Sequence, residues 1–153
     1  MPSHSESRLV PYPADLMCAI VADVERYPEF LPWCSALRVI SRERQGGRES
    51  VLAEMLVGYK SLRERYVSRV DIDRLARTID VKQTEGVFRT LENHWRFASE
   101  GQGCRIEFSI RFEFKSRLLG AVANTVLAPV ILRMSHAFEA RAKALSQQPL
   151  QQQ

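Results

Sequence analysis

"CRIEFSIRFEFK" (104–115) is followed, after Ser116, by "RLLGAVANTVLAPVILRMSHAFEARAKAL" (117–145), and the period of the apolar residues changes at the join. In the first stretch Cys104, Ile106, Phe108, Ile110, Phe112 and Phe114 alternate with Arg105, Glu107, Ser109, Arg111 and Glu113. Successive side chains of a strand point to opposite faces, so this spacing predicts a half-buried strand with one wet face. In the second, Leu119, Val122, Ala123, Val126, Leu127, Val130, Ile131, Met134 and Phe138 recur at helical spacing. At about 1.5 Å per residue such a helix is on the order of 40 Å long. Pro129 lies inside it, offers no N–H to the carbonyl four residues back, and predicts a kink.

Upstream the period of two recurs. "ALRVISRERQGGRESVLAEMLVG" (36–58) reads as two strands about Gly46-Gly47, with Val51, Ala53, Met55 and Val57 on one face. "SLRERYVSRVDID" (61–73) sets Leu62, Glu64, Tyr66, Ser68 and Val70 against Arg63, Arg65, Val67 and Arg69. "RTIDVKQTEG" (77–86) is a weaker strand, and "TLENHWRFAS" (90–99) places Leu91, Asn93, Trp95 and Phe97 opposite Glu92, His94 and Arg96. Turn signals at Gly46-Gly47, Gly58, Glu85-Gly86 and Gly101–Gly103 divide these runs into hairpins. Nearer the start, residues 5–10 suit an edge strand. Pro13 opens a helix to about residue 25, with Leu16, Ile20 and Val24 as its stripe. "RYPEFLPWC" (26–34) then makes a turn or one short helical piece, because Pro28 and Pro32 each disfavour helix in the residue before them. The order is strand, helix, six strands, long helix: an α+β architecture in which a helix on a twisted sheet encloses either a closed core or a cavity.

The chain has 153 residues, enough for one domain over 1–145, with a disordered polar tail at 146–153. Its net charge is +4, and arginine outnumbers lysine, a balance suited to anionic lipid or RNA. Cys18, Cys34 and Cys104 are odd in number and form no CxxC, which argues against a disulfide framework or zinc site and for a reducing compartment. The N-terminus has no apolar signal core. The uncharged run 118–132, closed by Arg117 and Arg133, is shorter than the roughly 20 residues a spanning helix needs, yet suits contact with a bilayer surface.

Motifs of catalysis are missing: there is no HExxH, GxSxG, P-loop or GxGxxG. His4, His94 and His136 are scattered, and His94 is on an outward face. Glu54 and Glu64 converge if their strands pair; otherwise Glu54 is solvated and Glu64 meets an arginine. Tyr66 and Asn93 are polar groups on apolar faces. Each needs a partner, whether a backbone carbonyl, the other residue, or the oxygen of a bound apolar ligand. Trp95 and Phe97 share that face. Leu31 and Trp33 belong at one end of the sheet, as the rim of a cavity or, with Phe30, as a plug.

"YPEFLPWC" (27–34), "GVFRTLENHWRF" (86–97) and "AFEARAKAL" (137–145) resemble, in that order, the coenzyme Q-binding START-domain family. That family lies within the polyketide cyclase/dehydrase and lipid-transport group, which also contains RatA-type ribosome-association toxins. The resemblance covers residues 3–145 and departs at Val87, where the family has proline. It implies an α+β helix-grip (START/Bet v-like) fold: a curved antiparallel sheet of about seven strands wrapped around a long C-terminal helix, with an internal hydrophobic tunnel. It further implies a non-catalytic carrier or chaperone of ubiquinone that supports respiratory electron transport, with no cofactor, metal or catalytic residue. Ligand contacts then fall on Tyr27, Phe30, Leu31, Pro32 and Trp33. The polyprenyl tail would lie along Leu127, Val130, Ile131 and Met134 and against Phe108, Ile110 and Phe112. Tyr66 or Asn93 would donate to a quinone carbonyl beside Trp95 and Phe97. The implied partners are a polyprenyl quinone or other lipid and, transiently, a membrane surface, with no DNA. Lacking the transit peptide of mitochondrial members, the chain looks bacterial or like a mature form, cytoplasmic or peripheral at the inner face of the respiratory membrane. The alternatives are a RatA-like protein that binds the large ribosomal subunit and blocks subunit joining, or a cyclase-type enzyme using Glu64 and Tyr66.

Overall fold

The alternation that opens the C-terminal half forms β7 (Gly103–Phe114), in which every second residue from Cys104 to Phe114 is buried. The computed structural model describes residues 3–59 and 62–146, of which the side chains of Tyr59, Leu62, Leu119, residues 122–128 and Leu132 are not described. Residues 147–153, the greater part of the expected polar tail, lie outside it. The other strands are β1 (Ser3–Val10), β2 (Cys34–Gln45), β3 (Arg48–Tyr59), β4 (Leu62–Asp73), β5 (Thr78–Gly86) and β6 (Phe88–Glu100). They form one antiparallel sheet in the order β1-β7-β6-β5-β4-β3-β2. Strands β1 and β2 are consecutive in sequence but occupy opposite edges, so residues 11–33 must cross the whole sheet.

That crossing explains the rigid aromatic segment. Helix α1 (Ala14–Ala22) starts one residue later than the sequence predicts. Pro13 caps it, with an extended ψ of 147° and a carbonyl that accepts the Met17 N–H at 3.1 Å. It also stops earlier, because Asp23 leaves the helical region and Val24–Arg26 continue as a 3-10 turn. Helix α2 (Tyr27–Phe30) follows. Leu31, before Pro32, is extended as expected, but Tyr27 is helical despite preceding Pro28. Side-chain anchoring outweighs the local preference there: the Tyr27 hydroxyl donates to the Val21 carbonyl, and its ring meets Phe30 and Phe138 edge-on. The Gly58 N–H donates to the Trp33 carbonyl at 2.8 Å and ties the crossover to β3. Gly58 is therefore inside a strand and not at a turn, since pairing continues through Gly58–Arg63 and Tyr59–Leu62. Gly86, paired with Tyr66, closes β5 just before the connection to β6. Its φ is +146°, and a Cβ there would lie 2.6 Å from that of Tyr66.

Helix α3 (Arg117–Ser146), with Pro129 inside it, closes the inner face through Val130, Ile131, Ser135, Phe138 and Ala142, all buried. Polar contacts hold its second half. The Ser135 hydroxyl donates to Glu6, Arg8 pairs with Glu139 at 2.6 Å, and Arg141 pairs with Glu29 at 3.1 Å.

At the far end of the sheet Glu49 is buried on the same face of β3 as Val51 and Ala53. Arg44 approaches it at 2.7 Å, and Arg42 and Arg74 at 3.3 Å. Arg42 also reaches Glu25 at 2.6 Å, so this cluster fastens the crossover to two hairpins. Burial alone would raise the Glu49 carboxyl. The hydrogen bond from Arg44 and the charges of Arg42, Arg44 and Arg74 prevail, holding it below the usual glutamate value. A carboxyl depressed in the folded state stabilises it above the unfolded pKa, and that contribution disappears as pH falls through the folded pKa. Glu49→Gln is expected to cost about 1.5–3 kcal/mol at neutral pH. In urea melts across acid pH, the variant and the parent should converge as Glu49 protonates; a constant difference would refute this role.

Candidate ligand-binding cavity

Between α3, the inner face of β3–β7 and the crossover lies a cavity of about 140 Å³. Its sheet wall is built by the period-two residues: Ala53, Met55 and Val57 from β3, Tyr66, Ser68 and Val70 from β4, then Leu91, Asn93 and Trp95 from β6, with Ile110 and Phe112 from β7. Tyr27, Leu31 and Trp33 come from the crossover, and Val130, Ile131, Met134 and Phe138 from α3. A dry apolar cavity of about 150 Å³ accommodates one benzene-sized ring. The tunnel expected for a polyprenyl tail is thus, in this conformation, a chamber for a ring.

The residues singled out from the sequence divide accordingly. Tyr27, Leu31, Trp33, Tyr66, Asn93, Trp95, Ile110, Phe112, Val130, Ile131 and Met134 line the cavity. Phe97, Phe108, Phe30 and Pro32 do not. Phe97 stacks on Trp95 with ring planes 6° apart, and Phe108 packs 4.2 Å from it, so both support the wall from behind. Phe30 meets Phe138 at 5.5 Å and carries the Arg141 guanidinium 5.0 Å above its ring. Pro32 is exposed. The side chain of Leu127 lies outside the described residues. Leu31 and Trp33 are only 3% and 9% exposed, so they belong to the wall and not to an open rim.

The polar groups of the wall are few. The Tyr66 hydroxyl donates to the Met55 sulfur at 3.3 Å, a weak acceptor that a carbonyl would readily replace. Burial, reinforced by nearby Cys34, pushes the Tyr66 phenol well up, and burial does the same to Tyr27. Both therefore act as neutral donors near neutral pH. The Asn93 carbonyl accepts the Trp95 indole N–H at 3.0 Å, while its amide nitrogen has no hydrogen-bond partner among the described residues. Ser68, which the sequence shows only as one inward serine on an apolar strand face, is 6% exposed, and its hydroxyl has no partner among the described residues. Glu64 also lines the cavity, but Glu54 is on the outer face, held by Arg65 at 2.7 Å and Arg38 at 3.5 Å. The two carboxylates do not converge. Burial raises all three thiols, Cys34 to about 11. Outward His94 pairs with Asp80 at 2.7 Å.

Comparison with known proteins places this geometry. A family model described as polyketide cyclase / dehydrase and lipid transport matches residues 10–139. The chain is 33% identical over 146 residues to the ribosome association toxin RatA of Rickettsia prowazekii, covering 94% of this chain and 97% of that one. It is 35% identical over 143 residues to the mitochondrial coenzyme Q-binding protein COQ10 homolog B of Xenopus laevis, covering 91% of this chain and 57% of the relative. An 18 kDa protein of Caulobacter crescentus superposes with a TM-score of 0.79 at 39% identity, over 95% of this chain and 99% of that one.

The wall makes one direct claim about stability. Trp95 is 4% exposed, so Asn93→Leu should leave its indole N–H buried without an acceptor, at a cost of about 1–3 kcal/mol. Urea denaturation followed by tryptophan fluorescence measures it, and an unchanged midpoint would mean that the bond contributes nothing.

Proposed function

Because the chain belongs to the polyketide cyclase/dehydrase and lipid-transport family, and within it to the START-like, lipid-binding fold, we propose that it is a non-catalytic carrier of a polyprenyl quinone. The observation that carries this reading is the cavity itself. It is the size of one ring, its walls are aromatic and aliphatic, and Tyr66, Ser68 and Asn93 of the sheet are among its few polar groups. The quinone ring would occupy it, with a carbonyl accepting from Tyr66 or Asn93. The tail would leave along α3 past Val130, Ile131 and Met134.

Delivery to a membrane fits the start of α3. Leu118 is 80% exposed there, beside exposed Lys115 and Arg117, which form no ion pair among the described residues. Such an arrangement suits transient contact with an anionic bilayer. Among those residues no helix is long and apolar enough to cross a membrane.

Leu31 is 3% exposed, so a charge placed there would be buried in the wall. Ala53→Leu instead fills the cavity from the sheet side without adding charge. Lipid extraction and mass spectrometry of purified protein should find about tenfold less quinone in the variant, the loss expected when overpacking costs about 1.4 kcal/mol. Equal loading, or no quinone in the parent, would overturn the proposal.

A second reading rests on the match over 97% of a ribosome association toxin's length. If this chain blocks subunit joining, its overproduction should raise free ribosomal subunits in sucrose gradients, and Ala53→Leu should leave that effect intact. An unchanged profile would remove this reading.

A further inference from the structure

Among the described residues, two buried side-chain polar atoms lack a hydrogen-bond partner: the Nε2 of His4 and the hydroxyl of Ser68. His4 has the Glu6 carboxylate 3.8 Å away at the sheet edge. Ser68 has no such neighbour, and it lines the cavity. A buried hydroxyl left unpaired is costly, so what surrounds it bears directly on its role.

Among the described residues, the polar side chains nearest it along and across the sheet are already engaged. Ser68 pairs across the sheet with Ala53 of β3, which offers nothing, and with Gln83 of β5. The Gln83 amide is committed at both ends, donating to the Phe88 carbonyl at 2.7 Å and accepting the Phe88 N–H at 3.1 Å. Two residues along β4, the Tyr66 hydroxyl is directed at Met55. Asn93 lies two strands away, with Val81 of β5 between them. A β-bulge interrupts the β4–β5 pairing between Val67 and Ser68, and bulges of this kind commonly re-aim a side chain beside a site.

We propose that Ser68 is the specificity-determining donor of the cavity, reserved for a hydrogen-bond acceptor on the bound ring. The class of ligand this selects is an apolar molecule bearing a carbonyl or ether oxygen on a ring, as opposed to a plain hydrocarbon. A site that hydrogen-bonds such an oxygen discriminates against the analogue lacking it, because the site's donor is then left unpaired. The inference rests on the reading of the cavity as a quinone site, and it adds which wall residue enforces the choice.

The consequence is a pair of effects of opposite sign. Ser68→Ala removes an unpaired buried hydroxyl from the empty protein and should raise its urea midpoint. The same change should weaken binding of a short-tailed ubiquinone analogue about tenfold by titration calorimetry, while leaving the alkylbenzene of equal tail length bound as before. Ser68→Thr, which keeps the hydroxyl, should recover discrimination between the two ligands.

A lower midpoint in Ser68→Ala would show that the hydroxyl is satisfied within the fold and would overturn the proposal. So would equal loss of both ligands, or unchanged affinity for the quinone analogue. If the parent binds the alkylbenzene as tightly as the quinone analogue, Ser68 selects nothing, although the cavity still takes apolar rings. If the parent binds neither, the carrier reading fails together with it.

Discussion

The ring of Phe138 meets Tyr27 at 5.4 Å, Phe30 at 5.5 Å and Trp95 at 5.3 Å, so one residue of α3 packs at once against the crossover and the middle of the sheet. All three contacts are edge-on, the favoured arrangement for aromatic quadrupoles. The geometry solves a topological problem. With β1 and β2 at opposite edges, the chain must run beneath α3 to reach the second edge. A loose crossing would leave α3 with nothing to close against. Pro28 and Pro32 fix that path, Tyr27 is pinned by its hydroxyl, and Phe138 seats the helix on the result. The opening between helix and sheet then lies one to two turns earlier in α3, at Val130, Ile131 and Met134.

Polar contacts reinforce the same division. Ser135, Glu139 and Arg141 are each tied to β1 or α2, so the second half of α3 is fixed at its polar faces as well as its apolar one. At the other end of the sheet Glu49 binds two hairpins and, through Arg42, the 3-10 turn before α2. A ring-sized chamber persists between these fastenings because the sheet is held at both ends while its inner wall keeps small side chains such as Ala53 and Ser68.

The longer strands and the long helix were legible because each repeats its period over ten or more residues, as in 104–114, and a repeated period leaves no choice of face. Pattern reading failed where one residue was asked to decide. Gly58 looks like a turn in sequence but is a strand residue that accommodates the Trp33 carbonyl. Tyr27 ought to be extended before Pro28, yet a hydrogen bond to Val21 holds it helical. Phe97 and Phe108 share the inward parity of Trp95 and Ile110, and parity assigns a face but not a depth. They stack behind Trp95 and never reach the cavity. The Glu49 cluster and the Ser135–Glu6 contact join residues far apart in sequence, and no local period announces them. Ser68 was visible as an inward serine. Its significance came only from knowing that Gln83 and Tyr66 were already committed and that Asn93 lies two strands away.

The lipid and ribosome readings draw on different surfaces, and the charge pattern weighs between them. Recognition of RNA rests on contiguous unpaired cations that follow a phosphate backbone. On the outer face of this sheet the arginines alternate with carboxylates and are largely taken up by them: Arg65 and Arg38 by Glu54, Arg105 by Glu100, Arg48 by Asp73. Among the described residues Lys82, Arg89, Arg96, Lys115, Arg117, Arg133 and Lys143 have no ion pair. Three of them, Lys115, Arg117 and Arg89 of the neighbouring β6, lie near the start of α3 where Leu118 stands exposed, and Phe88 and Phe114, adjacent to them in sequence, line the cavity. Unpaired positive charge beside an exposed leucine and the end of an apolar chamber is an arrangement that an anionic bilayer satisfies on every count. A phosphate backbone would use the charges and leave the leucine and the chamber without a role.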